Sequence, residues 1–134
     1  MIILIAEDNL SHQKITEYIL KKNNVPAKYF VVRDGQEVLD YLFHKNNYTD
    51  SEKYPIPNLI LLDLNLPKRD GREVLKLIKE ETSLKNIPIV IVSTSDREED
   101  LNYATQMGVV GYISKSIGFD NFSVELGSVI KYAR

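Results

Sequence analysis

The sequence predicts an α/β protein in which helices cover both faces of a five-stranded parallel sheet, a doubly wound architecture. Strand-like and helix-like segments alternate along the 134 residues, as expected for repeated βα units. The strand-like segments are short runs of consecutive apolar residues without polar alternation, which is typical of parallel strands buried on both faces. The helix-like segments carry apolar residues at intervals of three and four. Together, these observations predict five βα units.

The strand signals are short apolar runs with turn-forming or strand-interrupting residues beside or within them. The Asp34-Gly35 pair is a turn signal that closes the second run. The third run leads directly into Asp63, Pro88 opens the fourth, and Gly111 interrupts the fifth. The predicted strands are residues 2–6, 29–32, 59–62, 89–92 and 109–113.

The helix signals are periodic apolar residues followed by helix-ending residues. In the first helix, Ile15, Tyr18 and Ile19 have i, i+3, i+4 spacing, and Asn23 ends the pattern. Gly108 ends the fourth helix. The predicted helices are residues 11–22, segments around 38–42 and 74–78, residues 97–107 and residues 120–132.

Composition excludes several kinds of site and partner. The chain has no cysteine, so disulfides, thiolate metal sites and cysteine nucleophiles are excluded. A net charge of −2 argues against electrostatic binding to nucleic acid or to an anionic membrane surface. The apolar run at the N-terminus ends at Glu7, which makes it too short for a signal peptide or a membrane span. We expect a soluble cytoplasmic protein.

Polar side chains that are candidates for a site follow four of the five predicted strands. They are Glu7 and Asp8 after the first, Asp63 and Asn65 after the third, Ser93, Thr94 and Ser95 after the fourth, and Ser114 and Lys115 after the fifth. Open parallel sheets bind ligands at the carboxyl ends of their strands. We therefore expect these side chains to converge on one edge of the sheet.

The expected cluster has the chemistry of a magnesium-assisted phosphoryl site. Three carboxylates in one place repel one another unless a positive charge joins them, and oxygen ligands without cysteine favour a hard cation such as Mg²⁺. Lys115 supplies a second positive charge, and Ser93 or Thr94 supplies a hydroxyl donor. A carboxylate in that setting can form an aspartyl-phosphate, which would explain why Asp63 stands at a strand tip.

The sequence closely resembles the response-regulator receiver domains of two-component signalling, which have a flavodoxin-like (βα)5 fold. The resemblance covers essentially all of residues 1–134, predicted as one domain with no second domain after Tyr132. It rests on Glu7-Asp8, the D63-x-x-x-P67-x-x-x-G71 pattern, Ser93 and Lys115 in this order. The stretches LILLDLNLPKRDGREVL and IPIVIVSTS, with the polar insert at 45–58, most resemble stand-alone regulators paired with phytochrome-type histidine kinases.

The resemblance implies a role for each matching residue. Asp63 would be the phosphoacceptor, and Lys115, Ser93, Asn65 and the Thr94 amide would bind the phosphoryl group. Tyr112 would turn inward when Ser93 moves, as a switch. The implied Mg²⁺ ligands are Asp8, Asp63, the backbone carbonyl of Asn65 and Glu7, the last directly or through a water. Ser116 departs from the family pattern, since many receiver domains have a proline there after a cis bond, so the bond is either cis or the loop takes another route.

Several of these residues also have plain structural interpretations. Glu7-Asp8 can begin a helix, since acids favour the first turn. Ser95 or Asp96 can cap the following helix, and the charged run 96–100 reads as a solvated helix start.

Four further side chains read as ordinary residues when taken singly. Lys115 alone would be a solvated lysine, and Tyr112 alone a core or sheet-edge aromatic. His12 and His44 are isolated in the sequence and are predicted to be ordinary surface or helix residues.

The predicted function is a phosphorylatable switch that is not an enzyme beyond slow self-phosphorylation and self-dephosphorylation. A histidine kinase would donate to Asp63, and output would be protein–protein contact. The alternative is an aspartyl-phosphate phosphohydrolase of the haloacid-dehalogenase type, which needs a general acid two residues after the nucleophile, where this chain has Asn65. A flavodoxin-like flavin carrier is a third option, but Glu7 and Asp8 would repel its phosphate.

A homodimer is also predicted, through the face of helix four, strand five and helix five. Its motivation is the apolar set Tyr103, Val109, Val110 and Phe119 near that face, because an interface needs an apolar centre.

Overall fold

The computed structural model describes residues 1–133 and confirms the predicted architecture. Five parallel strands form one sheet in the order β2-β1-β3-β4-β5. The strands are β1 (Ile2–Ala6), β2 (Lys28–Val32), β3 (Leu59–Leu62), β4 (Ile89–Ser93) and β5 (Gly111–Ser114). The helices are α1 (Leu10–Lys22), α2 (Gly35–Leu42), α3 (Gly71–Glu80), α4 (Glu98–Gln106) and α5 (Phe119–Gly127), with short 3₁₀ turns at Asn46–Tyr48 and Val129–Tyr132.

Two apolar cores lie on opposite faces of the sheet, which explains why the strands show no polar alternation. In β1, Leu4 belongs to the core beneath α2, α3 and α4, whereas Ile3 and Ile5 belong to the core beneath α1 and α5. All four residues of β3 are buried. Since β1 and β3 are neighbours in register, Ala6 beside Leu62, the residues that follow them emerge side by side.

The C-terminal elements differ from their predicted bounds. The fifth strand begins at Gly111, so Val109 and Val110 precede it, although the Val110 amide already donates to the Ile89 carbonyl at 2.9 Å. Gly108 adopts a positive φ of 77°, and this turn delays the strand. The last helix ends at Gly127 rather than continuing to Tyr132.

The start of α4 also differs from prediction. Its N-cap is Arg97, not Ser95 or Asp96, and the Arg97 side chain makes no capping hydrogen bond. The run 96–100 is not uniformly solvated, because Asp100 is only 3% exposed.

The polar insert is fixed to α2 by aromatic packing. Tyr41, Tyr48 and Tyr54 form a mutual cluster with ring centroids 4.7–5.8 Å apart. The Tyr41 hydroxyl donates to the Pro55 carbonyl at 2.8 Å, and burial raises the pKa of Tyr41 to about 12. His44 is not isolated, since its Nε2 lies 2.8 Å from the Tyr54 carbonyl. Among the described residues, no helix combines the length and apolar composition needed to cross a bilayer.

Candidate functional site at the strand ends

Three carboxylates meet where β1 and β3 end, as predicted. Glu7, Asp8 and Asp63 each offer an oxygen, and these oxygens all lie within 4.8 Å of one another. Glu7 and Asp63 are buried, whereas Asp8 is exposed. We call these three residues the acidic cluster. Their spacing suits a hard divalent cation that keeps several water ligands on its open side.

Lys115 projects from the end of β5 into the acidic cluster. Its ammonium donates to Glu7 Oε1 and, at 3.0 Å, to Asp63 Oδ2. The Lys115 side chain is 9% exposed. The backbone fixes its base, because the Lys115 amide donates to the Ser93 carbonyl at 2.8 Å. The predicted convergence of Asp63 and Lys115 is therefore confirmed in geometry.

The charges of the cluster do not cancel. Three carboxylates face one ammonium, a formal net charge of −2 if all are ionised. Burial raises the pKa of Glu7, while its hydrogen bond from Lys115 acts in the opposite direction. Binding a divalent cation relieves this excess of negative charge. The donor set therefore fits a hard divalent cation such as Mg²⁺.

The loop after β3 explains the spacing of Asp63, Pro67 and Gly71. The Asn65 amide donates to Asp63 Oδ1 at 3.0 Å, which fixes the carboxylate. A Cβ on Gly71 would lie 2.3 Å from the Asp63 carbonyl oxygen, so only glycine lets α3 begin this close to the strand tip. The Pro67 carbonyl accepts from the Gly35 amide at 3.1 Å. The pattern therefore holds the loop compactly behind Asp63.

The loop after β4 lies at the same edge. Ser93 is fully buried, and its Oγ accepts from the Ser95 amide at 3.2 Å, while Thr94 is exposed. Tyr112 is half-buried and its hydroxyl donates to the Ser95 carbonyl at 2.8 Å. Burial raises the pKa of Tyr112. The predicted switch pair therefore meets at Ser95.

His12 is part of this site, which the sequence interpretation missed. Its Nδ1 lies 3.1 Å from Lys115 Nζ and 3.6 Å from Glu7 Oε1. The neighbouring Gln13 donates to the Glu7 carbonyl at 2.8 Å. Asn9 caps α1 by accepting from the His12 amide at 3.0 Å, so neither Glu7 nor Asp8 serves as the cap. The only available signal was a histidine in the first turn after the acids.

An ion pair between α3 and α4 was also missed. Arg72 Nε donates to Asp100 Oδ1 at 2.6 Å, and its Nη2 donates to Oδ2 at 2.7 Å. The Arg72 guanidinium lowers the pKa of Asp100 well below its ordinary value. Asp100 Oδ2 also accepts from the Ser95 hydroxyl at 2.5 Å. Asp100 is therefore bonded to the loop that carries Ser93.

Ser116 follows Lys115 through a trans peptide bond, so the loop takes a route without a cis peptide there. The Ser116 hydroxyl donates to the Thr94 carbonyl at 3.2 Å, and its amide donates to Ser114 Oγ at 3.1 Å. The residue that departs from the usual pattern thus joins the β4 and β5 loops.

Comparisons with known proteins agree with this geometry. Residues 3–126 match the family described as the response regulator receiver domain. Response regulator Rcp1 from Synechocystis sp. is 40% identical over 115 residues, which cover 86% of this chain and 76% of Rcp1. The Mn²⁺-bound form of Rcp1 superposes with a TM-score of 0.86 at 36% identity, covering 96% and 90% of the two chains. The phosphorylated cyanobacterial phytochrome response regulator RcpA gives a TM-score of 0.88 at 37% identity, covering 98% and 92%.

The matched region contains every residue from Glu7 to Lys115 that the site brings together. The acidic cluster, the lysine and the parallel fold agree with that assignment. The chain therefore belongs to the response regulator receiver domain family of two-component signalling.

Proposed function

We propose that this response regulator accepts a phosphoryl group on Asp63 from a histidine kinase, with Mg²⁺, and signals by protein–protein contact. The observation that carries the proposal is the meeting of Asp63 with Glu7, Asp8 and Lys115 at one sheet edge. A phosphoryl group needs positive charge on its oxygens as it transfers. This edge supplies an ammonium together with carboxylates suited to a cation.

In this proposal, an Asp63 carboxylate oxygen attacks phosphorus as the bond from phosphorus to the donor imidazole nitrogen breaks. The imidazole leaves with the electron pair of that bond and takes up a proton. Asp8, Glu7, Asp63 and the Asn65 carbonyl would hold Mg²⁺, which supplies charge neutralisation when bound. The Asn65 amide, bonded to Asp63 Oδ1 at 3.0 Å, keeps the nucleophile oriented.

The new phosphoryl oxygens would be bound by residues already at the edge. Lys115 would exchange a carboxylate partner for a phosphoryl oxygen. The Ser93 hydroxyl and the Thr94 amide would donate to the others. Tyr112, bonded to the Ser95 carbonyl, would transmit the change to the face formed by α4, β5 and α5.

Turnover is not the proposed activity. We expect only slow self-phosphorylation from small donors and slow self-dephosphorylation. The haloacid-dehalogenase alternative is not supported, because the family match is to receiver domains and Asn65 cannot act as a general acid.

Intact-mass spectrometry after incubation with acetyl phosphate tests the proposal. We expect wild type to gain the mass of one phosphoryl group when Mg²⁺ is present and to stay unmodified with a chelator. Asp63→Asn should stay unmodified in both. Asp120→Asn, which removes an exposed carboxylate on α5, is the matched control and should behave as wild type. Equal modification of wild type and Asp63→Asn would refute Asp63 as the acceptor.

We further propose a phytochrome-type kinase as donor, supported by the similarity to a phytochrome response regulator. Leu10, Ile15 and Tyr18 on α1, the helix that follows Glu7 and Asp8, are 56%, 38% and 58% exposed, so they offer a contact surface for the donor. Tyr18→Glu should slow transfer from a phosphorylated phytochrome kinase but not from acetyl phosphate. Equal slowing with both donors would contradict this assignment.

A homodimer through the α4–β5–α5 face completes the proposal. Val110 and Phe119 are 37% and 57% exposed there, while Tyr103 and Val109 are partly buried against the core. Light scattering at high concentration should detect a dimer that Val110→Glu weakens. A monomer with and without phosphodonor would refute it.

A further inference from the structure

Ser95 is bonded through three of its atoms. Its amide donates to Ser93 Oγ at 3.2 Å, its hydroxyl donates to Asp100 Oδ2 at 2.5 Å, and its carbonyl accepts from Tyr112 at 2.8 Å. Two of these bonds lead to the proposed switch residues Ser93 and Tyr112. The third leads to Asp100, which has no part in the proposed chemistry. Ser95 therefore connects the switch to α4.

Asp100 is a firm attachment point because its carboxylate is held on several sides. Arg72 binds both of its oxygens at 2.6 and 2.7 Å, and Arg97 Nε donates to Oδ2 at 3.2 Å. Such bidentate, charge-assisted pairs are geometrically well defined. Arg72 Nη1 also approaches the Leu64 carbonyl at 3.4 Å, next to Asp63. The ion pair thus lies between the phosphoacceptor loop and the β4–α4 loop.

We propose that Ser95 and Asp100 are positioning residues that hold the β4–α4 loop ready for the phosphoryl group. This inference rests on the proposed function. Because Ser93 Oγ already accepts from the Ser95 amide, its own proton is available to a phosphoryl oxygen. Because Asp100 holds Ser95 in place, the β4–α4 loop is already ordered before phosphoryl transfer. The Tyr112 hydroxyl is also already hydrogen-bonded to the Ser95 carbonyl. Preorganised donors of this kind stabilise a transition state without reorganisation.

A purely structural role for the Asp100 contact would have a different signature. Losing it would lower the melting temperature while leaving the phosphorylation rate of the folded protein unchanged. A positioning role predicts a slower rate in protein that stays folded. It also predicts unchanged Mg²⁺ affinity, because neither Ser95 nor Asp100 belongs to the acidic cluster.

The test compares Ser95→Ala, Ser95→Thr, Asp100→Asn and the double variant Ser95→Ala/Asp100→Asn. The control is Thr105→Ala, which removes an α4 hydroxyl whose one hydrogen bond within residues 1–133 is to the Leu101 carbonyl, at 2.8 Å. For each, we would measure the rate of modification by acetyl phosphate at saturating Mg²⁺, the Mg²⁺ dissociation constant by calorimetry, and the melting temperature. Ser95→Ala carries the test alone if Asp100→Asn does not fold.

We expect Ser95→Ala to be modified about fivefold more slowly, the weight of one hydrogen bond, with Mg²⁺ affinity unchanged. Ser95→Thr, which keeps the hydroxyl, and Thr105→Ala should match wild type. Ser95→Ala should slow the Asp100→Asn background less than it slows wild type, because the Ser95 and Asp100 side chains share one hydrogen bond. Wild-type rates in Ser95→Ala, or a loss of Mg²⁺ affinity that accounts for the slowing, would overturn the inference. If wild type itself is not modified, the proposed function fails with it.

Discussion

Replacing Lys115 with methionine tests the charge balance of the acidic cluster directly. Methionine keeps much of the volume of the lysine stem but removes the ammonium that bonds Glu7 and Asp63. Without it, three carboxylates face one another with no positive charge from Lys115. We therefore expect the metal-free variant to be less stable than metal-free wild type. We also expect the variant to depend on Mg²⁺ for much of its stability.

The size of the effect follows from burial. The side chains of Lys115, Glu7 and Asp63 are 9%, 6% and 8% exposed. Removing one partner of such a buried pair costs about 3–5 kcal/mol. Glu7 reduces this cost, because burial already raises its pKa and the variant can take up a proton there. We expect a loss of about 2–3 kcal/mol at pH 7, or about 10 °C in melting temperature for a chain of this size.

Thermal melts with a chelator and with a Mg²⁺ series measure both expectations. A ligand present at 100 times its dissociation constant adds about 2.7 kcal/mol to the free energy of unfolding. Mg²⁺ at that level should therefore restore most of the stability that the Lys115→Met variant lacks without metal. The difference in melting temperature between metal-free wild type and metal-free Lys115→Met should also shrink as the pH falls towards 5. A carboxyl whose folded-state pKa is raised disfavours folding when ionised, and protonation of Glu7 removes that penalty. An unchanged melting temperature without metal, or equal Mg²⁺ stabilisation of both proteins, would refute the assigned charge balance.

Three further variants test the surroundings of the cluster. Gly71→Ala should lower the free energy of unfolding by about 2 kcal/mol and slow phosphorylation, because its Cβ would lie 2.3 Å from the Asp63 carbonyl oxygen. The control is Gly111→Ala, which should be tolerated because its Cβ would lie 3.5 Å from its nearest neighbours. Urea titrations measure both stabilities. Arg72→Met should cost about 2 kcal/mol at pH 7, less than for a fully buried pair because Arg72 is 25% exposed. Because the pKa of Asp100 is lowered from its ordinary value of 3.8, the stability that this ion pair provides is present above pH 3.8 and is lost progressively below it. The difference in the free energy of unfolding between wild type and Arg72→Met should therefore narrow at pH 3. A pH-independent difference would contradict that assignment. His12→Ala should slow modification by acetyl phosphate about twofold through a less ordered Lys115, whereas the exposed control Lys14→Ala should not; equal rates would argue against a role for His12.

The sequence was sufficient to predict that the acidic cluster and Lys115 meet at one edge of the sheet. Glu7, Asp63 and Lys115 each follow a strand, and the parallel sheet alone brings strand ends to one edge. Short apolar runs located β1 and β3 at their observed bounds. Those inferences needed only local composition and the order of the elements.

The missed contacts depend on how helices rotate against the sheet, which local patterns do not encode. Asp100 lies in a charged run that looks solvated, and its burial follows from Arg72, 28 residues away. The position of His12 depends on Lys115, 103 residues away. The fifth strand was placed too early because Val109 and Val110 are apolar, although the turn at Gly108 keeps them outside it.

The link between the site and the α4–β5–α5 face is continuous along three successive carbonyls. The carbonyl of Ser93 accepts from the Lys115 amide at 2.8 Å, that of Thr94 from the Ser116 hydroxyl at 3.2 Å, and that of Ser95 from Tyr112 at 2.8 Å. A proline in place of Ser116 could not make the middle bond, because it has no hydroxyl. Any movement of Ser93 or Lys115 towards a phosphoryl group therefore acts on the β4–α4 loop and on β5 together. That coupling gives a change at the edge of the sheet a direct physical route to the neighbouring face.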